Sequence, residues 1–287
     1  MDDAQQSKAE RFLARHKESG CFLMPNAWDS GSAKMLVASG FDAIGTTSAG
    51  IAFSQGKPDN AFCALDARVE RDAMLPEIKA ICRSVSVPVN ADLEAGFGDS
   101  PEEVAETIKL AIQAGAVGGN IEDYTGIKSR PLYDRSLAVE RIAAARRVID
   151  ESGVPFVLVA RTDRFNVGIP GGLAEAIERA NLYREAGADC LFAPGASDVD
   201  TIRELVRELT GPLNVVMGLS GSDVSFAQLC DLGVRRVSVG GSLARSLYFH
   251  LRAAAQEMLG QGTFSYANAQ VPHTELNDIF QSELPKS

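Results

Sequence analysis

Eight short apolar runs alternate with eight amphipathic segments along almost the whole chain, and that alternation leaves few folds open. The runs fall at 21–27, 43–47, 87–92, 119–123, 156–162, 190–194, 213–218 and 236–240. Short and close to continuously apolar, they read as parallel strands covered on both faces. Helical periodicity occupies 30–39, 66–84, 101–114, 136–152, 172–186, 198–209, 224–231 and 242–259. Four helix-to-strand returns carry a glycine, at Ser39-Gly40, Ala114-Gly115, Ala186-Gly187 and Leu232-Gly233. Glycine there ends a helix in a left-handed turn that other residues enter at a cost.

Eight such units predict an α/β chain folded as one closed (β/α)8 TIM barrel over about 21–259. A helical lead-in over 3–19 and a tail over 260–287 flank it, the tail with an amphipathic helix near 274–282. An open doubly wound sheet is the alternative, but no glycine-rich dinucleotide fingerprint follows the first strand. No linker breaks the pattern, so a single domain over 1–287 is expected.

Composition narrows function by exclusion. The net charge of −10 comes with no basic run, which argues against nucleic acid or an anionic membrane as partner. No apolar stretch is long enough to span a bilayer, and the polar start gives no sign of a signal peptide. Five cysteines, at 21, 63, 82, 190 and 230, form no CxxC and suit reduced thiols in a cytoplasmic protein. The three histidines, at 16, 250 and 273, lie far from other ligand types, so zinc is not expected.

Chemistry concentrates at the C-terminal ends of the predicted strands, where barrels assemble active sites. The third strand runs out through Asn90-Ala91-Asp92-Leu93-Glu94, and residues two apart on a strand share a side. Two neighbouring carboxylates repel unless a proton or cation intervenes, and a hard divalent ion such as Mg²⁺ is the usual solution. A solvated acidic turn is the bland alternative for this segment alone. The fourth strand ends in Ile121-Glu122-Asp123 and the fifth in Ala160-Arg161-Thr162-Asp163. Small residues close the second strand, Thr46-Thr47-Ser48-Ala49-Gly50, where hydroxyls and amides could cradle a carboxylate.

Together these motifs resemble the isocitrate lyase/phosphoenolpyruvate mutase superfamily from Pro25 to about Leu259. The segment Asp92-Leu93-Glu94-Ala95-Gly96-Phe97-Gly98 fits that family's D-x-[DE]-x-G-[FY]-G. By this resemblance Asp92 holds Mg²⁺, or Mn²⁺ in its place, with Glu94 and Glu122 acting largely through bound waters. Arg161 pairs with substrate oxygens, Thr47, Ser48 and Ala49 hold a carboxylate, and Asp59 lies near the metal. The implied chemistry is a small 2-oxo or 2-hydroxy acid reacting through a pyruvate-like enolate.

Departures from the family pattern matter equally. Its lyases carry K-[KR]-C-G-H after the fourth strand, whereas this chain reads Lys128-Ser129-Arg130-Pro131-Leu132, keeping the lysine without cysteine or histidine. Pro194 stands where the lyases place a glutamate and the phosphonate enzymes a histidine. The expectation is a Mg²⁺-dependent carbon–carbon lyase or decarboxylase. Phosphonopyruvate mutase or hydrolase chemistry is the second reading, and a carboxylate-binding barrel without turnover the third. The partners expected are a small carboxylate substrate and further copies of the chain, as a tetramer built from dimers that exchange helix 242–259. In that helix Leu243, Leu247, Leu251 and Met258 would form the buried face. The loop 124–133 is expected to be a mobile lid, with Lys128, Tyr124, Tyr133 or water supplying a proton.

Overall fold

The computed structural model describes residues 3–59, 67–167, 172–221 and 223–281. Its strands are β1 (Phe22–Met24), β2 (Asn26–Ala27), β3 (Ile44–Thr46), β4 (Val89–Asp92) and β5 (Gly118–Glu122). They continue with β6 (Val157–Arg161), β7 (Cys190–Phe192), β8 (Leu213–Val216) and β9 (Arg236–Ser238). All pair in parallel, in the order β1-β9-β8-β7-β6-β5-β4-β3-β2. β1 and β2 are two pieces of one barrel strand parted at Pro25, whose ring nitrogen has no hydrogen to donate. One piece pairs with β9 and the other with β3, which draws the sheet into a barrel.

The helices follow the predicted periodicity closely. They are α1 (Asp3–Lys17), α2 (Ser30–Ala38), α3 (Ser48–Ser54), α4 (Arg71–Ser84), α5 (Pro101–Ala114) and α6 (Arg135–Ser152). After them come α7 (Gly172–Glu185), α8 (Val199–Glu208), α9 (Phe226–Leu232), α10 (Ser242–Gln261) and α11 (His273–Gln281). Local chemistry explains the clean boundaries. Ser100 and Glu103 form a reciprocal capping box with Pro101 at the first helical position of α5. Gly40, Gly115, Gly187 and Gly233 take φ of 99°, 101°, 107° and 94°, the left-handed exits expected of them.

Two helices differ from the sequence reading. α4 begins at Arg71, later than the expected 66, a position that itself lies outside the described residues, as do Cys63 and position 282 of the expected tail helix. α3 was not expected: Thr47 caps it by accepting from the Gly50 amide at 3.3 Å, turning the small-residue loop into a short helix.

A large buried cluster joins Ile78, Ile81, Ile108, Ile142 and Ile149 of the helices to Val89 and Leu158 of the strands. Phe12 and His16 of α1 pack edge-on against Phe22. Among the described residues no helix is long and apolar enough to cross a membrane.

Candidate active site

A cavity of about 920 Å³ opens at the C-terminal ends of the strands. Thr47, Ser48, Ala49, Asp59, Asp92, Glu94, Glu122, Lys128 and Arg161 all line it, so every site residue expected from the sequence reaches one space.

Asp92 ends β4 with each carboxylate oxygen held. Oδ2 accepts from the Ser48 amide at 2.9 Å and the Ser48 hydroxyl at 2.8 Å, and Oδ1 accepts from Asn120 Nδ2 at 2.8 Å. Ser48 therefore orients an acid rather than offering free donors, and the Thr47 hydroxyl is used as a helix cap. Of the small-residue loop, Ala49 lines the cavity with no side-chain polar group.

Glu94 reaches the same cavity by another route than strand alternation. β4 stops at Asp92, and Glu94 sits in a left-handed turn with φ 50°, followed by Phe97 at 56°. Such backbone costs about 1–3 kcal/mol per residue and needs support from its surroundings. Arg141 supplies it, donating to the carbonyls of Gly98 at 2.7 Å, Asp99 at 2.5 Å and also Ala95. Thr107 Oγ1 donates to Gly96 O at 2.7 Å, and the Glu122 amide donates to Glu94 O at 2.9 Å.

Arg161, at the end of β6, is clasped by acids. Its Nη1 lies 3.0 Å from Glu122 Oε2, and its Nε and Nη2 each lie 2.8 Å from an oxygen of Asp163. Burial opposes the charge of Arg161, but Asp163 and Glu122, with Asp92 behind, more than offset this and keep it protonated. For Glu122 burial is the largest influence and raises its carboxyl well above the ordinary range. Arg161 pulls it back down, while Asp163, Asp92 and Glu94 push it further up. One guanidinium thus stands among four carboxylates.

That imbalance is the test of a divalent cation here, and the residues fit it. Among the described residues no three His, Cys, Asp or Glu side chains form a direct ligand cluster. Mg²⁺ needs no such cluster, because it keeps several waters and takes one or two carboxylates. An oxygen-only donor set with surplus negative charge suits that ion, and the scarcity of histidine and cysteine argues against softer metals.

Asp123 points to the other side of β5 and builds the support behind Asp163. Its Oδ1 accepts from the Asp163 amide at 2.9 Å, and its Oδ2 from the Tyr183 hydroxyl at 2.7 Å and Arg179 Nη1 at 3.4 Å. Burial first, then Asp163, raises its carboxyl, and these donors partly counter the rise.

The loop after β5 is a folded turn. Tyr124 and Leu132 form an antiparallel bridge, and Thr125 Oγ1 accepts from the Ile127 amide at 2.9 Å while donating to Arg130 O at 2.5 Å. Lys128 is exposed on it. Tyr133 is unsuited to deliver a proton. Burial, then its 2.5 Å bond to Asp99, pushes its hydroxyl up to about 12, and its ring lies under Arg141. None of the four described cysteines lines the cavity.

Sequence reasoning missed a polar ladder inside the barrel. Asn120 Oδ1 accepts from Asn90 Nδ2 at 3.4 Å, and Asn90 Oδ1 accepts from Arg236 Nη1 at 3.3 Å. Arg236 Nε also donates to Asn214 Oδ1 at 2.8 Å, and its Nη1 lies 3.3 Å from His16 Nε2. The signal was available: Asn90 and Asn120 each stand two residues before a strand-end acid, hence on the same side. Arg68, also on the cavity wall, was missed too, since it carries no motif.

Comparison with known proteins bears on the family and the fold. The family described as phosphoenolpyruvate phosphomutase matches residues 12–259. An uncharacterized protein of Mycobacterium tuberculosis is 34% identical over 261 residues, covering 91% of this chain and 92% of its own. The 2-methylisocitrate lyase of Escherichia coli is 36% identical over 182 residues, 61% of this chain and 57% of that one. A crystal structure from Burkholderia cenocepacia J2315, assigned only provisionally as a lyase/mutase, superposes with TM-score 0.93 at 47% identity and covers 99% of both chains. That of 2,3-dimethylmalate lyase gives 0.83 at 27% identity, covering 98% of this chain and 96% of its own. The chain is an enzyme of the phosphoenolpyruvate mutase/isocitrate lyase superfamily.

Proposed function

We propose that the enzyme is a Mg²⁺-dependent lyase or decarboxylase that breaks a carbon–carbon bond to C3 of a small 2-oxo or 2-hydroxy acid. The observation that supports this reading best is Arg161, fixed by Asp163 and Glu122 beside Asp92 in a single cavity. A guanidinium held in place is set to meet an enolate oxygen without reorganising as charge develops.

Asp92 would hold the metal, with Glu94 and Glu122 bound to it through water and Asp59 near by. When bound, Mg²⁺ supplies Lewis-acid stabilisation of enolate charge. The remaining work falls to the chain. Arg161 orients the carboxyl and carbonyl end of the substrate, whose carboxylate lies at the edge formed by Thr47 and Ala49, with Ser48 holding Asp92 beside it. With no lid cysteine, the proton that quenches the enolate passes from Tyr124, Lys128 or water at the mouth of the cavity. Lys128 serves only where closure over a substrate buries its ammonium. This reading, with a cytoplasmic setting for the reduced thiols, makes the protein a soluble metabolic enzyme.

The experiment is a turnover screen with Mg²⁺ over 2-oxo and 2-hydroxy dicarboxylic acids, followed by proton and phosphorus NMR, with phosphonopyruvate included. Cleavage of a carbon–carbon bond in any of them supports the lyase. Conversion of phosphonopyruvate alone would replace it with phosphorus–carbon chemistry.

α10 bears on assembly. Only Ala244 of this helix is buried in the single chain, whereas Leu247, Leu251 and Leu259 are 56%, 64% and 89% exposed. The residues expected on a buried face are thus uncovered within one protomer. An apolar surface of this kind favours a homo-oligomer in which a second copy covers α10.

A further inference from the structure

Arg68 stands apart from the other arginines of the cavity. Arg161 is neutralised by Glu122 and Asp163, Arg236 is tied to Asn214 and Asn90, and Arg245 Nη1 donates to Leu219 O at 3.0 Å. Arg68 lines the same cavity, yet among the described residues it donates no hydrogen bond and meets no carboxylate, and its Nε is buried without a partner. A buried donor left unsatisfied costs about 1–3 kcal/mol, so the position is stable only when something else compensates.

What holds Arg68 is shape. Its guanidinium lies against the backbone of Gly126, in the turn that follows β5, at the place a Cβ would occupy. Gly126 also has φ 75°, a conformation glycine adopts freely. The turn therefore backs a flat cationic fork that lines the cavity and has no hydrogen-bond partner among the described residues. A fork of that geometry matches the two oxygens of a carboxylate.

We propose that Arg68 is a specificity-determining residue that binds an anionic group, a second carboxylate, at the far end of the substrate from Arg161. This rests on the enolate-site reading given above and adds the substrate class to it: acids charged at both ends. Gly126 is the positioning residue, because any side chain there displaces the guanidinium.

The test is calorimetric binding to the Mg²⁺-saturated protein, with oxalate as a probe of the enolate end alone. 3,3-Difluorooxaloacetate and phosphonopyruvate serve as probes with a carboxylate and a phosphonate at the far end. Arg68→Met should weaken 3,3-difluorooxaloacetate by about tenfold or more while moving oxalate by less than about twofold. Gly126→Ala should reproduce that pattern with Arg68 intact. A loss confined to phosphonopyruvate would overturn the second carboxylate. Unchanged affinity for 3,3-difluorooxaloacetate in Arg68→Met, with oxalate bound normally, would overturn the assignment of Arg68. Failure of oxalate to bind the wild type would overturn the enolate site itself.

Discussion

Asp163 grips Arg161 by two edges at once, Oδ2 taking Nε and Oδ1 taking Nη2, each at 2.8 Å across a spacing of two residues. Glu122 takes the third nitrogen at 3.0 Å, and the guanidinium lies 5.4 Å from the centroid of the Phe192 ring. Asp163 is itself fixed, its amide bonded to Asp123 and its Oδ1 to Asn166 Nδ2 at 2.7 Å. The arginine that would meet the substrate is thus locked by a support reaching from β5 to α7.

Removing that support should be costly. Asp163→Ala leaves a buried guanidinium short of one acid, and breaking such a pair costs about 3–5 kcal/mol. Urea denaturation of the variant should show a loss of this size with an unchanged slope. A change below about 1 kcal/mol would mean the pair contributes little.

Arg141 should matter for the acidic turn rather than for charge at the site. It is buried, stacks 4.1 Å from the Tyr133 ring centroid and holds three carbonyls of the loop bearing Glu94. Arg141→Met keeps most of the volume but orphans those carbonyls, at about 1–3 kcal/mol for each group that water cannot reach. Hydrogen exchange at residues 94–99 should accelerate in the variant, and protection equal to the wild type would contradict the role given to Arg141.

His16 gives a pH dependence whose sign follows from its partners. Nδ1 faces the Phe12 carbonyl at 2.8 Å and so carries the proton, while Nε2 faces the guanidinium of Arg236 and can only accept. Burial first, then Arg236, lowers its pKa from 6.5 to about 3. The unfolded chain binds the proton near 6.5 and the folded chain only near 3, so unfolding takes up a proton between those values. The stabilisation is complete above 6.5 and is lost as pH falls towards 3, at up to about 1.4 kcal/mol per pH unit. His16→Gln should flatten the decline in stability between about pH 6 and 5 by that amount. Identical slopes would exclude the neutral buried ring.

Much of this architecture was legible before any coordinates. Apolar runs bounded by turn residues, with glycine at the helix exits, carry the barrel because backbone sterics and burial act locally. Asp92, Glu122 and Arg161 were equally legible, since strand ends of a parallel barrel face one space. Glu94 reaches the cavity by another route than the strand alternation expected, its strand having ended and a left-handed turn having taken over. Arg68 and Arg236 were not legible. Each owes its position to long-range packing, against Gly126 in one case and across the barrel to Asn90 in the other. The role of Ser48 was likewise hidden, because its partner Asp92 lies 44 residues away in sequence.

The exposed leucines of α10 should control assembly. Sedimentation at micromolar concentration should give an oligomer for the wild type, and Leu247→Glu with Leu251→Glu should shift it towards smaller species by placing charge in an apolar contact. A wild-type monomer at that concentration would contradict the account of this helix.

The central claim, that the strand-end acids form a divalent cation site, is tested most directly by thermal melting of the wild type and Asp92→Ala with and without Mg²⁺. Ligand present at about 100 times its dissociation constant stabilises the folded state by about 2.7 kcal/mol, so the wild type should melt higher with Mg²⁺. Asp92→Ala should lose that rise. No rise in the wild type, or an equal rise in Asp92→Ala, would contradict the account.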